Sequence, residues 1–207
     1  MKLSSAIKRF NDVKNLIIFG KDAPLHARRV FIRPGDVAFY TKNRIKGRNC
    51  IKSGDWDLAV APISENLKLE IVRRKIIHNI SWEEAGAYEH MQQLMNECGG
   101  VADECRSISD IIERYKKLDR LIASLRIDAS NYKTRVQLGK SFLREKGGIL
   151  IHINRDGEPV FGGGGHHRFG ICRYLEIPLV PAQLGHVHDS AVKSGVWRMI
   201  SERKFEI

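Results

Sequence analysis

The sequence predicts an α/β (α+β) fold with a small mixed sheet and a helical insert in the middle of the chain. Short β segments separated by turn signals occupy the first 60 residues and return after residue 149. Between them, apolar residues recur at the three- and four-residue steps of core-facing helices. Near the C-terminus a short strand, a glycine run and a helix follow one another, as in α/β proteins.

Length and composition exclude several classes of protein. The 207 residues, 43% of them hydrophobic and 29% charged, are typical of a compact domain with its own core. No apolar run approaches the roughly 20 residues of a membrane span, so we expect no membrane partner. The four cysteines form no Cys-x-x-Cys pair, which favours reduced thiols, a cytoplasmic location and no structural metal site.

Changes in pattern divide the chain into three segments. Residues 1–60 are predicted as a basic, β-rich N-terminal segment, residues 61–117 as a helical insert, and residues 118–207 as the core with a C-terminal helix. Within the first segment, strands at 29–32 and 37–40 flank a Pro-Gly-Asp turn, and a basic polar loop follows over 41–53.

The middle of the chain carries the clearest helical signals. Apolar residues from Leu67 to Ile77 predict one helix, and Ser81 with Glu84 has the spacing of a capping box that opens a second, ending near Gly99. A third helix is predicted over 108–126, where eight apolar residues form one stripe.

The last third of the chain alternates short strands with helices. The predicted elements are strands at 149–153, 159–161 and 179–184, an Asp-Gly hairpin turn at 154–158, and helices at 169–176 and 189–203.

The net charge of +11 is unevenly distributed. Residues 1–60 hold 13 basic and 5 acidic residues, including Arg44, Lys46 and Arg48 in the polar loop. Such an excess attracts polyanions, either nucleotide phosphates or a nucleic-acid backbone, unless it is only a solvated basic surface.

The residues between the predicted strand at 159–161 and the helix that follows it are the best candidates for a chemical site. A helix that opens directly after glycines presents free backbone N–H groups to an anion, and an arginine in its first turn can bind phosphate with two nitrogens. Histidines there add donors whose charge can be tuned near neutral pH. The alternative is a flexible turn beside two histidines. The candidate phosphate-binding residues are Gly162, Gly163, Gly164, Gly165, His166, His167 and Arg168.

This region resembles the ParB/sulfiredoxin-like superfamily, whose members include ParB-like nuclease domains. The glycine run ending in His167-Arg168 is similar to the family's phosphate-binding motif, and the segment 175–182 is similar to its Val-Pro-Ala ending. The segments 121–125 and 132–135 and the hairpin 156–158 resemble its earlier parts. The resemblance implies a ParB/sulfiredoxin-like core over residues 118–207 that binds the phosphates of a nucleotide.

The departures from the family narrow the function. Sulfiredoxins need a cysteine where this chain has His166, and fewer than about 20 residues follow His188, too few for the DNA-binding helix-turn-helix of partition proteins. The His-His-Arg variant is similar to the superfamily's small-molecule kinases. We therefore expect phosphoryl transfer or nucleotide hydrolysis, with ATP, ADP or CTP and Mg²⁺. The rival class is a nucleic-acid-binding protein or nuclease that binds a backbone phosphate with the same glycine run and helix start.

Roles follow for the remaining candidates. His167 and Arg168 are expected to neutralise developing charge, and Lys133 or Arg135 to clamp the far side of the ligand. A kinase also needs a carboxylate base. No spacing places one, and the nearest candidates are Asp156 and Glu158.

Two further patterns are candidates for metal sites. His186 and His188 would share one face of a continued strand, but no carboxylate or cysteine stands at ligand spacing, so no transition metal is predicted. Asp55-Trp56-Asp57 could bind magnesium or contact a base. We favour a turn in which Trp56 fills an interface.

Overall fold

The computed structural model describes residues 2–132 and 148–201. Its strands are β1 (Arg29–Ile32), β2 (Phe39–Thr41), β3 (Ile51–Lys52), β4 (Val60–Pro62), β5 (Leu150–Ile153), β6 (Pro159–Phe161) and β7 (Val180–His188). Its α-helices are α1 (Lys2–Phe19), α2 (Leu67–Ile77), α3 (Ala87–Glu97), α4 (Ile108–Ile127), α5 (His166–Tyr174), α6 (Asp189–Ser194) and α7 (Arg198–Ser201). The predicted α/β class is confirmed.

The seven strands form one mixed, open sheet. Its order is β1-β7-β5-β6-β2-β4, and the short β3 also pairs with β7. β7 runs parallel to β5 and β3 and antiparallel to β1, while β5 and β6 form the antiparallel hairpin expected from the Asp-Gly turn. The sheet thus joins strands from both ends of the chain.

Helices α2 and α5 pack closely on each other beside the sheet. A Cβ on Gly170 of α5 would lie 3.0 Å from Cγ1 of Val72, so glycine allows this close approach. Phe169 of α5 stacks on Phe161 of β6 at 4.4 Å between ring centroids, which fixes α5 on the sheet. A single buried apolar cluster includes residues from all three predicted segments, from Val30 to Ile200.

Most of the predicted helices and strands are present. The apolar stripe of α4 is confirmed at Ile111, Tyr115, Ile122 and Leu125, all buried, although Ile108 at its start is exposed. The capping box also forms, because Ser81 Oγ accepts from the N–H of Glu84 at 3.1 Å while a Glu84 carboxylate oxygen accepts from the N–H of Ser81 at 2.7 Å. Turns follow it, and α3 begins only at Ala87.

The two ends of the chain differ from the prediction. Helix α1 occupies residues that were assigned to a β-rich segment, because this stretch has no glycine or proline before Gly20, whose N–H bonds to the carbonyl of Leu16. The single C-terminal helix predicted over 189–203 is divided into α6 and α7 at Gly195, where the buried Trp197 inserts between them. Helix α5 also begins three residues before the predicted helix.

Candidate functional site

The glycine run connects β6 to α5, with Gly165 as the residue before the helix. No side chain caps this helix start, and the N–H groups of His166, His167 and Arg168 find no acceptor among the described residues. Arg168 lies in the first helical turn, and its guanidinium makes no hydrogen bond or ion pair with the described part of the chain. The helix start therefore has the unpaired donors that an anion requires.

The glycines themselves are explained by the neighbouring strand β5. A Cβ on Gly162 would lie 2.5 Å from Nε2 of His152, and one on Gly164 would lie 2.8 Å from Cβ of Leu150. A Cβ on Gly165 would meet the carbonyl oxygen of Gly148 at 3.0 Å. The group that comes close to these glycines is thus the protein's own backbone and side chains. The interpretation that they make room for a phosphate is not needed to explain them.

Next to α5 lies a cavity of about 430 Å³, which we call the Asp103 cavity. Four cationic side chains from three helices line it, and they surround a single carboxylate. The lining residues also include Gly163, Gly165 and the first turn of α5. The cationic residues are Lys68 of α2, Arg114 and Lys117 of α4, and Arg168 of α5.

Asp103 is held in place by a strained turn. The backbones of Ala102 and Cys105 exchange hydrogen bonds across a two-residue turn in which Asp103 and Glu104 have φ angles of 49° and 71°. Non-glycine residues adopt this left-handed conformation at a cost of about 1 to 3 kcal/mol each, and such strain clusters at functional sites. Here the turn brings the carboxylate of Asp103 into the cavity.

Two cations hold Asp103 ionised. Lys68 Nζ donates to Oδ2 at 3.0 Å, and Arg114 Nη1 donates to the backbone carbonyl of Asp103 at 2.8 Å. Burial by itself raises the pKa of Asp103, but the hydrogen bond from Lys68 and the charges of Lys68 and Arg114 outweigh it and lower the pKa. Asp103 is therefore a carboxylate at neutral pH, and no described residue donates to its Oδ1.

The two histidines carry no charge, contrary to the expectation from the sequence. Burial, followed by the charges of Arg114 and Lys68, lowers the pKa of His167 to about 3, and its Nε2 lies 3.3 Å from the hydroxyl of Tyr115. Burial lowers the pKa of His166 to about 4. At pH 7 both rings are neutral. His167 is a buried packing and hydrogen-bonding group, and the positive charge of the site comes from lysine and arginine.

The carboxylates expected beside the glycines lie elsewhere. Asp156 and Glu158 are in the hairpin turn before β6, whereas the glycine run follows β6. They line a different cavity of about 330 Å³, together with Asp36 and Val196. The structure does not bring Asp156 and Glu158 to the glycine run. Lys133 and Arg135 lie outside the described residues.

The Asp55-Trp56-Asp57 segment is a structural cross-link. Arg155 donates from Nε and Nη2 to the two oxygens of Asp57 at 2.9 and 2.8 Å, and from Nη2 to Asp55 at 2.8 Å. Trp56 packs between the rings of His152 and His188, at centroid distances of 5.8 and 6.0 Å. The favoured interpretation of a turn with Trp56 in an interface agrees with this arrangement.

His186 and His188 each bond to a backbone carbonyl. His186 Nδ1 lies 3.0 Å from the carbonyl of Asn49, and His188 Nε2 lies 2.9 Å from that of Gly54. Within residues 2–132 and 148–201, no three His, Cys, Asp or Glu side chains are grouped so that they could hold a metal ion.

The sequence does not identify four of the residues that line the cavity, which are Lys68, Asp103, Arg114 and Lys117. Arg114 and Lys117 stand three residues apart beside the apolar stripe of α4, a spacing that places them on one face of the helix. That spacing is a usable signal. Lys68 and Asp103 come from a helix start and a loop, and only the tertiary structure brings them together.

Comparison with protein-family models, with curated proteins and with solved structures finds no match. Among the described helices, none is both long enough and apolar enough to span a lipid bilayer. The resemblance of the His-Arg motif to the ParB/sulfiredoxin-like superfamily therefore stays a prediction.

Proposed function

We propose that the Asp103 cavity binds the phosphates of a nucleotide and uses them in phosphoryl transfer or nucleotide hydrolysis. The observation that carries this proposal is the convergence of the uncapped start of α5 with four cationic side chains around one carboxylate. Helix starts and cationic side chains are the groups with which proteins hold phosphoryl groups and stabilise their developing charge.

Each residue of the cavity has a role in the proposal. The N–H groups at the start of α5 hold the phosphates together with the guanidinium of Arg168, which has no partner within residues 2–132 and 148–201. Lys68 and Arg114 position Asp103 and balance its charge. Because Asp103 is ionised and Oδ1 has no described donor, it supplies the carboxylate that orients the attacking hydroxyl or water.

Magnesium fits this donor set as an ion that arrives with the nucleotide. Mg²⁺ keeps several waters and otherwise binds phosphate oxygens and few protein carboxylates. Since Oδ2 of Asp103 accepts from Lys68 and Oδ1 is assigned to the nucleophile, the phosphates and water would hold the ion, and it would neutralise phosphate charge. The proposed nucleotides are ATP, ADP or CTP.

Thiol chemistry is not part of the proposal. Burial raises the pKa of Cys172 in α5 to about 12 and also raises the pKa of Cys105, next to the Asp103 turn. Since only the thiolate reacts, both thiols are unreactive at neutral pH. All four cysteines are free, which supports the proposal of a cytoplasmic location.

Calorimetric titration of ATP, ADP, CTP and GTP with Mg²⁺ tests the proposal. Arg168→Gln removes the cation that is proposed to bind the phosphates. Charge-assisted hydrogen bonds contribute about 1.5 to 3 kcal/mol, so affinity for the bound nucleotide should fall roughly ten- to a hundredfold. Arg126→Gln, an exposed arginine of α4 outside the Asp103 cavity, is the matched control. Equal affinity in both variants would contradict the proposal.

The second candidate is binding or cleavage of nucleic acid. It is favoured by one observation, that Lys42 and Arg44 of the basic loop line a cavity that also contains Gly162, Gly163 and Gly164. Duplex-DNA affinity should then fall steeply with salt and weaken on charge reversal at Arg44, Lys46 and Arg48. A protein that binds DNA tightly and no nucleotide would replace the first candidate with the second.

A further inference from the structure

A second cavity, of about 460 Å³, adjoins the Asp103 cavity along the glycine run. We call it the Lys42 cavity. Residues 40–44 at the end of β2, together with Asn66 and the glycine run, line it. Gly163 and His166 border both cavities, so ligands in the two would be neighbours.

The described residues that line the Lys42 cavity include two cations and no carboxylate. Lys42 and Arg44 form no hydrogen bond or ion pair with any described residue. Arg173 of α5, by contrast, is engaged, since it donates to the carbonyl of Val37 at 2.9 Å. Two uncompensated positive charges in one cavity indicate an anionic ligand.

Thr41 places a hydroxyl group at the cavity wall. The residue is 8% exposed, and its hydroxyl has no hydrogen-bond partner among the described residues. This oxygen is not one of the fully buried side-chain atoms that lack a partner, so it reaches the space of the cavity and is free to donate to a ligand there.

Asn66 provides further donors at the start of α2. Its Oδ1 accepts from the N–H of Leu69 at 3.2 Å and so caps the helix, which fixes the orientation of the side-chain amide. The Nδ2 group, with two donor hydrogens, has no partner among the described residues. The positive end of α2 thus faces the same cavity, and it adds to the charges of Lys42 and Arg44.

We propose that the Lys42 cavity is a separate subsite for a phosphate monoester, carried by a second ligand that binds beside the nucleotide. A phosphate monoester carries close to two negative charges at neutral pH, which matches two cations and a set of donors without a nearby carboxylate. A carboxylate would leave one cation unbalanced. The inference rests on the proposed function in one respect, that a nucleotide occupies the Asp103 cavity.

Titration with inorganic phosphate, followed by ¹H–¹⁵N NMR, tests the subsite directly. Amide signals of residues 40–44 should shift and saturate. The Lys42→Gln/Arg44→Gln double variant should weaken this binding roughly a hundredfold, because two charge-assisted contacts to the phosphate are lost together. Lys21→Gln, an exposed lysine outside the basic loop that does not line the cavity, is the control and should bind as the unmodified chain does.

The probes separate the chemistry and the source of the ligand. Acetate that binds as tightly as phosphate would overturn the assignment to a phosphate monoester. Glycerol 3-phosphate and a 5′-phosphorylated oligonucleotide should both compete with phosphate. Equal affinity would identify a small phosphorylated molecule as the source, and tighter binding of the oligonucleotide would identify a nucleic-acid end.

The two proposals fail in different ways. If phosphate leaves residues 40–44 unshifted while Mg²⁺–ATP binds through Arg168, the subsite is refuted and the nucleotide site stands. If phosphate saturates residues 40–44 in Arg168→Gln but no nucleotide binds to the unmodified chain, the proposed nucleotide function falls and the anion subsite remains. Saturation that survives the double variant would also refute the subsite.

Discussion

Arg155 and Arg168 stand on either side of β6 and use their guanidinium groups in opposite ways. Arg155, in the hairpin turn before the strand, donates to Asp57 and Asp55 at 2.8 to 2.9 Å. The side chain of Asp57 is 1% exposed, and its carboxylate lies 3.9 Å from His188. Arg168, after the strand, has no partner among the described residues.

The difference separates a structural charge cluster from a binding site. At Arg155 two carboxylates balance the cation, so the cluster is complete and joins the hairpin to the loop at 55–57. Among the described residues that line the Asp103 cavity there are four cations and one carboxylate. Lys117 also pairs with Glu113 at 2.9 Å outside the lining, whereas Arg168 has no described partner. Cations are brought together without counter-charges only at a cost, and a bound anion offsets that cost.

Acid sensitivity is the largest effect expected from the comparison. Each region buries a neutral histidine: burial lowers the pKa of His152, beside Trp56, to about 3, and that of His167, in the cavity wall, to about 3. In the unfolded chain both rings take up a proton below their ordinary value of 6.5. The unfolded state then binds more protons, so the free energy of unfolding falls as pH falls below 6.5.

The expected slope approaches about 1.4 kcal/mol per pH unit for each histidine well below pH 6.5, which amounts to roughly 4 kcal/mol for both between pH 7 and 5. Urea unfolding at pH 7, 6 and 5 measures it. His167→Gln should lower the free energy of unfolding at pH 7 but give a shallower pH slope. An unchanged slope would mean that the ring is already protonated in the folded protein.

The next largest effect on stability is expected from breaking the charge cluster around Arg155. Asp57→Ala leaves Arg155 without its main acceptor. Loss of one partner of a buried ion pair costs about 3 to 5 kcal/mol. Because the side chain of Arg155 is 34% exposed and can regain water, we expect the lower end, near 3 kcal/mol, by urea unfolding.

Asp55→Ala is the control, since the side chain of Asp55 is 79% exposed and surface pairs contribute about 0 to 1 kcal/mol. Neither variant should change nucleotide affinity. Weaker nucleotide binding in a folded Asp57→Ala protein would show that the two regions are coupled.

Two glycines at the cavity form a matched pair for a smaller effect. Gly163 and Gly165 have φ angles of 79° and 73°, so alanine at either position costs about 1 to 2 kcal/mol in backbone conformation. A Cβ at Gly163 would meet only His166 Cε1 at 3.8 Å, whereas one at Gly165 would lie 3.2 Å from Cα of Ile149 as well as 3.0 Å from the carbonyl of Gly148.

Thermal unfolding should therefore show Gly165→Ala to be less stable than Gly163→Ala, by about 1 kcal/mol. Equal stability would mean that residues 148 and 149 move aside without cost. Close packing against β5 would then not explain the glycine run, and room for a bound phosphate would be the better explanation.

The local elements of the core were predictable from the sequence because local chemistry determines them. The Asp-Gly turn between β5 and β6, the capping box at Ser81 and the stripe of α4 all depend on residues a few positions apart. Helix α1 was missed because its outward face carries the large apolar residues, Phe10 at 70% and Ile17 at 79% exposed. Its inward face buries Asp12 and Asn15, which obscures the usual pattern of an apolar core face.

The candidate site was predictable only in part. The start of α5 and Arg168 belong to one continuous segment, so the sequence locates them. Lys68 and Arg114 reach the cavity from α2 and α4, because close helix packing at Gly170 and a strained turn at Asp103 bring distant residues together. Tertiary distances of this kind leave no local signal.

The smallest expected effect concerns the carboxylates of the hairpin turn. Asp156 and Glu158 are exposed and line a cavity with Val196, separated from the glycine run by the length of β6. Asp156→Asn and Glu158→Gln should therefore leave Mg²⁺–nucleotide affinity and turnover within about twofold, as expected for distant, independent sites. Calorimetry and a phosphate-release assay measure both quantities.

Asp103→Asn supplies the contrast, because it keeps the side-chain shape and removes the charge that Lys68 and Arg114 hold in the cavity. Its turnover should fall roughly a hundredfold, the lower range for losing a group that positions or activates a nucleophile. If Asp156→Asn or Glu158→Gln abolishes turnover in a folded protein while Asp103→Asn does not, the reacting group meets the hairpin turn. The two ends of β6 would then not differ in role, because the charge cluster of Arg155, Asp55 and Asp57 would be part of the active site.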